Sequence, residues 1–371
     1  MSNFLRAAFG VLTLFAAGCV EPDPSDSDQS RQAEPDLGEA SQALNAPFKI
    51  YMSPGGYTSC NGVPSCGLVA NAGVGKLALV AQILADQGFG GAGWATTHDA
   101  NVEVHIAPGT YYHDSISWEL TSPDYAITFM PRDNGSTKPV FNGCLTSTQL
   151  TCDLDTFFSM RKDGPTNLHI KNIRIERYRQ AINFRGGSPS NSNNSIYGCY
   201  FYRIGSLHVS GQPNGYGVVS LNSSDRNSIK NSYFKNFENA GGNTALHALY
   251  ISNNSDGNLI SGNTFHTGNG IAVKLRNDCW WNTIEYNTFT KVGPASSSNA
   301  GYSDVPQPAE QVSCQSVFRY NVLDGNYNCG HLPAFYLGSG LPDTTCVGNT
   351  PPFRRLSTTG NTNDGSHCNG Q

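Results

Sequence analysis

Charge is scarce in this sequence: 14% of its 371 residues are Asp, Glu, Lys or Arg, with a formal balance of −5. What charge there is lies unevenly. Residues 20–46 hold seven carboxylates against one arginine, which leaves 21 basic and 21 acidic residues in 47–371. A neutral body without a basic stripe makes no long-range field for a polyanion, which argues against nucleic acid as a partner. Any recognition of charge must be local. The apolar run from Ala7 to Gly18 is 12 residues, against the roughly 20 that a membrane-spanning helix needs. No cysteine pair has the C-x-x-C spacing of a structural zinc site.

What is abundant is Asn, Gly and Ser, the composition of short strands joined by many turns. The stretch Ala248 to Lys291 carries one phrase twice, N-L-I-S-G-N-T-F from Asn258 and N-T-I-E-Y-N-T-F from Asn282. With the first Asn as position 0, apolar residues follow at +2 and +7 and a small polar one at +5. The copies are Asn194/Ile196/Cys199/Phe201, Asn227/Ile229/Ser232/Phe234, Asn258/Ile260/Asn263/Phe265, Asn282/Ile284/Asn287/Phe289 and Ser316/Phe318/Asn321/Leu323, with starts 33, 31, 24 and 34 residues apart. Residues 167–175 hold a further copy in a blurred register. A repeat this short predicts a coil of strands whose core grows rung by rung. The +2 and +7 side chains point inward and stack on their equivalents. The +5 amides of Asn263, Asn287 and Asn321 turn inside a corner, where each bonds the next rung and so escapes the cost of a buried unpaired amide.

Ahead of the repeats, Phe48 to Pro54 reads as a strand. Gly75 to Gln87 has Leu77, Val80, Ile83 and Leu84 at helical spacing and reads as a helix that caps the first rung. Alternating strands follow in 101–112 and 125–143. Residues 20–46 are predicted to be a disordered acidic tether, 47–345 one coil domain, and 346–371 an irregular tail.

The N-x-I-x-x-N-x-F repeats, the IAPGTY segment at Ile106 to Tyr111 and the capping helix resemble right-handed parallel β-helix proteins of the pectate-lyase-like superfamily. The resemblance covers about residues 47–340 and implies an all-β fold with three strands per rung. It leaves activity open, because the superfamily includes lyases, hydrolases, epimerases and adhesins. The first 19 residues resemble a bacterial lipoprotein signal, with Ala16-Ala17-Gly18 before a lipidated Cys19. That implies an exported monomer held by its lipid at the cell envelope or surface; plain secretion is the alternative. In an exported chain the other ten cysteines are expected to form disulfides. Cys60–Cys66 and Cys144–Cys152 close short loops, Cys279–Cys314 joins successive repeats and Cys329–Cys346 is plausible, which leaves Cys199 and Cys368.

In such a fold the strand before the phrase bears the sugar-binding groove. Aligning QAINFR, GVVSLN, ALYISN and IAVKLR turns two polar columns outward: Asn183, Ser220, Tyr250, Lys274, and Arg185, Asn222, Ser252, Arg276. β-Elimination on a uronate needs a cation for the carboxylate, a base for the neighbouring C–H and an acid for the leaving oxygen. Arg276, with its planar fork, suits the first task. Lys274 or Tyr250 suits the others if Arg276 lowers its pKa. The block from Ser252 to Asp278 loosely resembles the active-site repeat of the chondroitinase B and alginate lyase family, with Arg276 on the Arg position. The Lys position falls on Asn254, which cannot act as a base but could contact substrate. Trp280 and Trp281 could stack on a sugar face. Asp225, Asp256 and Asp278 stand at one edge, where they could hold Ca²⁺ or form a hydrolase pair, or simply cap turn amides. His247 reads as structural. Loops 202–215, 235–246 and 293–312 are candidates for the groove walls.

The expectation is therefore an extracellular polysaccharide-active β-helix that cleaves an acidic glycan by β-elimination. A non-catalytic carbohydrate-binding or adhesin-like coil is the alternative, and a glycoside hydrolase the third.

Overall fold

A computed structural model describes residues 45–54, 57–60, 68–69, 76–132, 137–148, 152–293, 302–304, 310–337 and 356–363. The signal segment with Cys19, nearly all of the tether, Cys66, Cys346 and Cys368 lie outside these residues, and so does the expected Cys60–Cys66 bridge. No helix among the described residues is long and apolar enough to cross a membrane.

The chain winds through three sheets of 12, 9 and 8 strands in turn. Apart from an antiparallel pair of short strands at the start, Tyr57–Cys60 and Leu68–Val69, every pairing within these sheets is parallel and joins a strand to its equivalent one rung away. One turn of the coil supplies Ser195–Tyr197 to the first sheet, Tyr200–Ile204 to the second and Gly217–Asn222 to the third. This is a three-sheeted parallel β-helix, as the repeat predicts.

The repeat positions stack in the predicted register. Ile196, Ile229, Ile260, Ile284 and Phe318 pair in sequence along the first sheet, and Phe201, Phe234, Phe265, Phe289 and Leu323 along the second. The phenylalanine rings stack with centroids 4.5, 5.0 and 5.0 Å apart, close to the strand spacing itself. The blurred copy resolves as Leu168/Ile170/Ile173/Ile175, because Ile170 pairs with Ile196 and Ile175 with Phe201. Asn167 stands one residue early.

Two asparagine ladders run inside the coil. At +5, Asn263 bonds Asn287 and Asn287 bonds Asn321 through Nδ2 to Oδ1 at 3.0 and 3.1 Å. Each Oδ1 also accepts the backbone N–H of the rung above at 2.9 Å. The second ladder joins the position-0 residues Asn194, Asn227, Asn258 and Asn282, each Nδ2 to Oδ1 distance being 2.9 Å. The sequence reading gives those residues no role. The same logic explains them: a buried amide is stable where the next rung supplies its partner.

The capping helix forms over Lys76–Asp86 and buries Leu77, Val80, Ile83 and Leu84 as expected. A second short helix, Ala92–Thr97, joins it and buries Trp94 completely. At the other end one boundary needs correction. The tail predicted to be irregular carries strands Leu356–Thr359 and Thr362–Asn363, which add to the first and second sheets. Tyr327, on the loop after Val322–Asp324, reaches back along the coil: its N–H bonds Gly293 O at 3.1 Å and its hydroxyl donates to the Glu238 carboxylate.

The cysteines also correct the expectation in part. Cys144–Cys152 is bonded. Cys279 is a free buried thiol, so Cys279–Cys314 does not form. Cys314 is in a disulfide, though not with Cys279. Cys329 is free, which excludes Cys329–Cys346, and Cys199 is a second buried thiol. Cys279 sits inside the corner, where its N–H bonds Ser313 Oγ at 3.2 Å and its own sulfur points at Arg276 O. Sequence spacing set the two cysteines one rung apart but does not set which way each side chain turns.

The corner between the first and second sheets holds a left-handed residue in seven successive turns, from Asn172 to Gly360. Asn172, Gly198, Asn231, Gly262 and Gly360 fill it with φ between 50° and 69°, the residue types that tolerate this region. Tyr286 and Tyr320 occupy the same position, both with φ 54°. A side chain of that kind costs about 1–3 kcal/mol in αL, and one stacked aromatic pair repays about 0.5–1.5 kcal/mol.

Candidate functional site

The third sheet turns the two predicted columns outward in the predicted register. Asn183 pairs with Ser220, Ser220 with Tyr250 and Tyr250 with Lys274; Arg185 pairs with Asn222, Asn222 with Ser252 and Ser252 with Arg276. Above this face lies a cleft of about 340 Å³ lined by Gln180, Asn183, Arg185, Tyr216, Ser220, Asn222, Tyr250 and Arg276. It extends over four rungs, roughly 14 Å at the strand spacing of about 4.8 Å.

At its C-terminal end Arg276 is held on both sides. Nε donates to Glu310 at 2.6 and 2.7 Å, Nη2 makes an ion pair with Glu310 at 2.6 Å, and Nη1 donates to Tyr250 Oη at 3.2 Å. The Glu310 carboxylate keeps the guanidinium protonated above its ordinary range. Arg276 was expected to be open to a substrate carboxylate, and an internal one occupies it instead. Arg185, at the other end, is exposed and makes no ion pair among the described residues.

Lys274 does not line the cleft. The strand Tyr302–Asp304 pairs beside it and places Ser303 next to it in the column, fully buried. Burial lowers the Lys274 pKa, with the Arg276 charge adding to the effect and Asp304 and Glu310 opposing it. His247 is buried below the face, with its ring stacked on Tyr250 at 5.7 Å and its Nδ1 3.0 Å from Ile271 O. Burial, reinforced by Lys274, pushes its pKa down to about 3, so it is neutral and structural.

The remaining candidates sit elsewhere. Ser252 is buried and its hydroxyl has no partner. Asn254 is exposed on the turn that follows, with its N–H bonded to Asn277 O. Trp280 and Trp281 lie on the next rung's turn, away from the cleft lining, and donate their indole N–H groups to Asp278 and Gln315. Asp225 and Asp256 do stack, and each caps a turn. Asp225 accepts from Ser190 and from the Asp256 N–H, while Asp256 accepts the Trp280 N–H at 2.6 Å. Burial, with Asp225 and Asp278 nearby, raises the Asp256 pKa to about 6. Among the described residues no group of three His, Cys, Asp or Glu side chains is arranged to hold a metal.

Two lining residues escaped the sequence reading. Gln180 starts its strand, with its Nε2 near Gly217 O at 3.4 Å. Tyr216 ends the loop predicted to form the first wall and is 59% exposed at the cleft. An aromatic residue immediately before an aligned strand was the available signal.

The rung-to-rung register on all three sheets decides the architecture. The chain is a parallel β-helix protein. No family model matches it, and no curated protein does. Solved structures of the same broad architecture include the Azotobacter vinelandii mannuronan C-5 epimerase AlgE6 A-module, at 14% identity and a TM-score of 0.44 over 71% of this chain and 60% of that one. The Agl-KA catalytic domain matches at 15% identity and 0.46 over 87% and 55%, and the alginate lyase from Paenibacillus sp. str. FPU-7 at 13% and 0.45 over 77% and 93%. This β-helix thus spans little more than half the length of the first two. Its architecture rests on its own strand register, and no chemistry is carried across from these proteins.

Proposed function

We propose that the cleft binds an acidic polysaccharide and cleaves it by β-elimination. The observation that carries this reading is the Tyr250 hydroxyl held by Arg276 at 3.2 Å on the wall of an open polar cleft. Among the described residues the lining contains two arginines and no carboxylate, which suits an anionic chain. In this scheme Arg185 takes a uronate carboxylate in its planar fork, with Asn183 and Asn222 beside it. Tyr250, whose oxygen accepts from Arg276 Nη1, takes the proton from the carbon next to the carboxylate. The freed electron pair forms the double bond, the bond to the glycosidic oxygen breaks, and that oxygen takes up the proton from Tyr250. Tyr216 offers a ring face to a sugar.

One observation favours a second reading, non-catalytic glycan binding: Glu310 already neutralises the cation nearest Tyr250. Incubation with alginate, pectate, chondroitin and hyaluronan separates the two. The lyase reading expects ultraviolet absorbance from an unsaturated product, lost at least a hundredfold in Tyr250→Phe. Full activity in that variant sinks the mechanism, and saturable binding without absorbance selects the second reading. Reducing ends without absorbance select hydrolysis.

Export with a lipid on Cys19 belongs to the same proposal, resting on the apolar run and the small residues before Cys19. It expects the protein in the membrane fraction, and Cys19→Ser in the soluble one. Equal fractionation of the two would remove the anchor.

A further inference from the structure

We infer that the corner between the first and second sheets carries a separate polysaccharide-binding site built on Tyr286 and Tyr320. This corner joins the first and second sheets, whereas the cleft lies on the third, and the inference does not depend on what the cleft does.

The coil supplies its own control. Pairing along the first sheet equates this corner in successive turns, through Lys171, Tyr197, Lys230, Ser261, Glu285, Arg319 and Thr359 just ahead of it. Five of the seven corner residues are Gly or Asn, and the two neighbours Tyr286 and Tyr320 are not. A bulky side chain in the left-handed region is an outlier. Bulky residues take this conformation at other corners of the coil too, at Arg226, Trp281 and Gln315, so the backbone alone assigns no role; what sets this corner apart is a pair of exposed, stacked rings.

The arrangement of the rings indicates the ligand. They are 58% and 43% exposed and stack with centroids 5.2 Å apart at 16°. Beside the rings, Glu285 and Arg319 form an ion pair at 2.9 Å, and the Arg319 guanidinium lies 5.7 Å from the Tyr320 ring centre. The side chains in line with the corner are Ser261, Glu285, Arg319 and Thr359, and the next outward column holds Leu259, Thr283 and Val317, a mixed surface rather than the apolar core of a protein interface. Aromatic faces bordered by charged hydrogen-bonding groups suit a pyranose ring, whose C–H face stacks while its hydroxyls meet the ion pair. A chain held at this edge would keep the protein on its polysaccharide while the cleft on the third sheet stays free.

Affinity electrophoresis through gels containing alginate, pectate or hydroxyethyl cellulose tests this directly, with the double variant Tyr286→Asn/Tyr320→Asn. Asn occupies the same corner at Asn231, so the variant is expected to melt at the same temperature or higher. In at least one gel the wild type should be retarded, and the variant should need at least ten times more polysaccharide for the same retardation. Tyr286→Phe/Tyr320→Phe, which keeps the rings, should stay within threefold of wild type. Arg185→Ala, in the cleft, should leave a retardation that the double Asn change then removes, so failure of one site is visible apart from the other. Equal retardation of wild type and the Asn variant, no retardation of wild type in any gel, or a lower melting temperature with binding intact would each overturn the inference.

Discussion

The asparagine ladders inside the coil and the polar columns outside the third sheet are both stacks of hydrogen-bonding side chains, one per rung, yet they behave in opposite ways. Inside, Asn263, Asn287 and Asn321 repeat one residue, and each amide is met by an identical neighbour and by backbone. Outside, Asn183, Ser220, Tyr250 and Lys274 change identity at every rung. Regular repetition satisfies every group and leaves nothing for a ligand. Irregular repetition leaves groups such as Arg185 without an internal ion pair, and those are the ones a ligand can use.

The sharpest break of that comparison is Asn287→Ala. It orphans the buried Asn263 N–H and removes partners from both neighbouring amides, so the expected loss is about 3 kcal/mol or more, read by chemical denaturation. A loss below about 1 kcal/mol would show that the ladder contributes little. Outside, Arg185→Ala should leave stability unchanged and weaken binding of an acidic glycan about tenfold or more, the worth of a charge-assisted contact, read by calorimetry. Glu310→Gln is expected to act in the opposite direction. With Arg276 released from its internal carboxylate, affinity for the same glycan should rise a few-fold. Unchanged affinity would mean that Arg276 does not face the ligand.

A further effect concerns pH. His247 has a folded pKa lowered by burial to about 3 from 6.5, so the unfolded chain binds the proton first. Its contribution is fully present above pH 6.5 and is lost as pH falls from there toward 3. Asp256 works with the reverse sign. Its folded pKa is raised to about 6 from 3.8, so the folded protein binds the proton first and gains stability as pH falls from 6 to 3.8. The two partly cancel between pH 6 and 3.8, and Asp256→Asn should steepen the acid loss in that window. Melting curves across pH 3–8 check this, and an unchanged slope would mean that Asp256 is ionised in the fold.

Much of the fold was legible because its periodicity is a packing rule. Ile260 over Ile284 and Phe265 over Phe289 are fixed by spacing alone, and the same spacing fixed the pairing of Tyr250 with Lys274. The site was legible only as a surface. Which column members stay open depends on segments that return from far along the chain, and strand parity carries no information about those. Lys274 and Arg276 share an outward face by parity, but the segment bearing Ser303 and Glu310 covers the first and neutralises the second. The free thiol of Cys279 failed for a similar reason, since rung spacing brings two residues near without orienting their side chains. Asp225 and Asp256 could be placed at one edge, but their roles followed from the N–H groups they face.

Tyr327 spans 89 residues to reach Glu238, and that tie changes how the coil can come apart. A stack in which each turn touches only its neighbours can peel from an end, one turn at a time. A strut running lengthwise from the loop at Tyr327 to the Glu238 turn makes the turns between them yield together or not at all. Tyr250 and Arg276, at one end of the cleft, fall within that braced span, so a pull on a chain bound there would be shared by several turns at once.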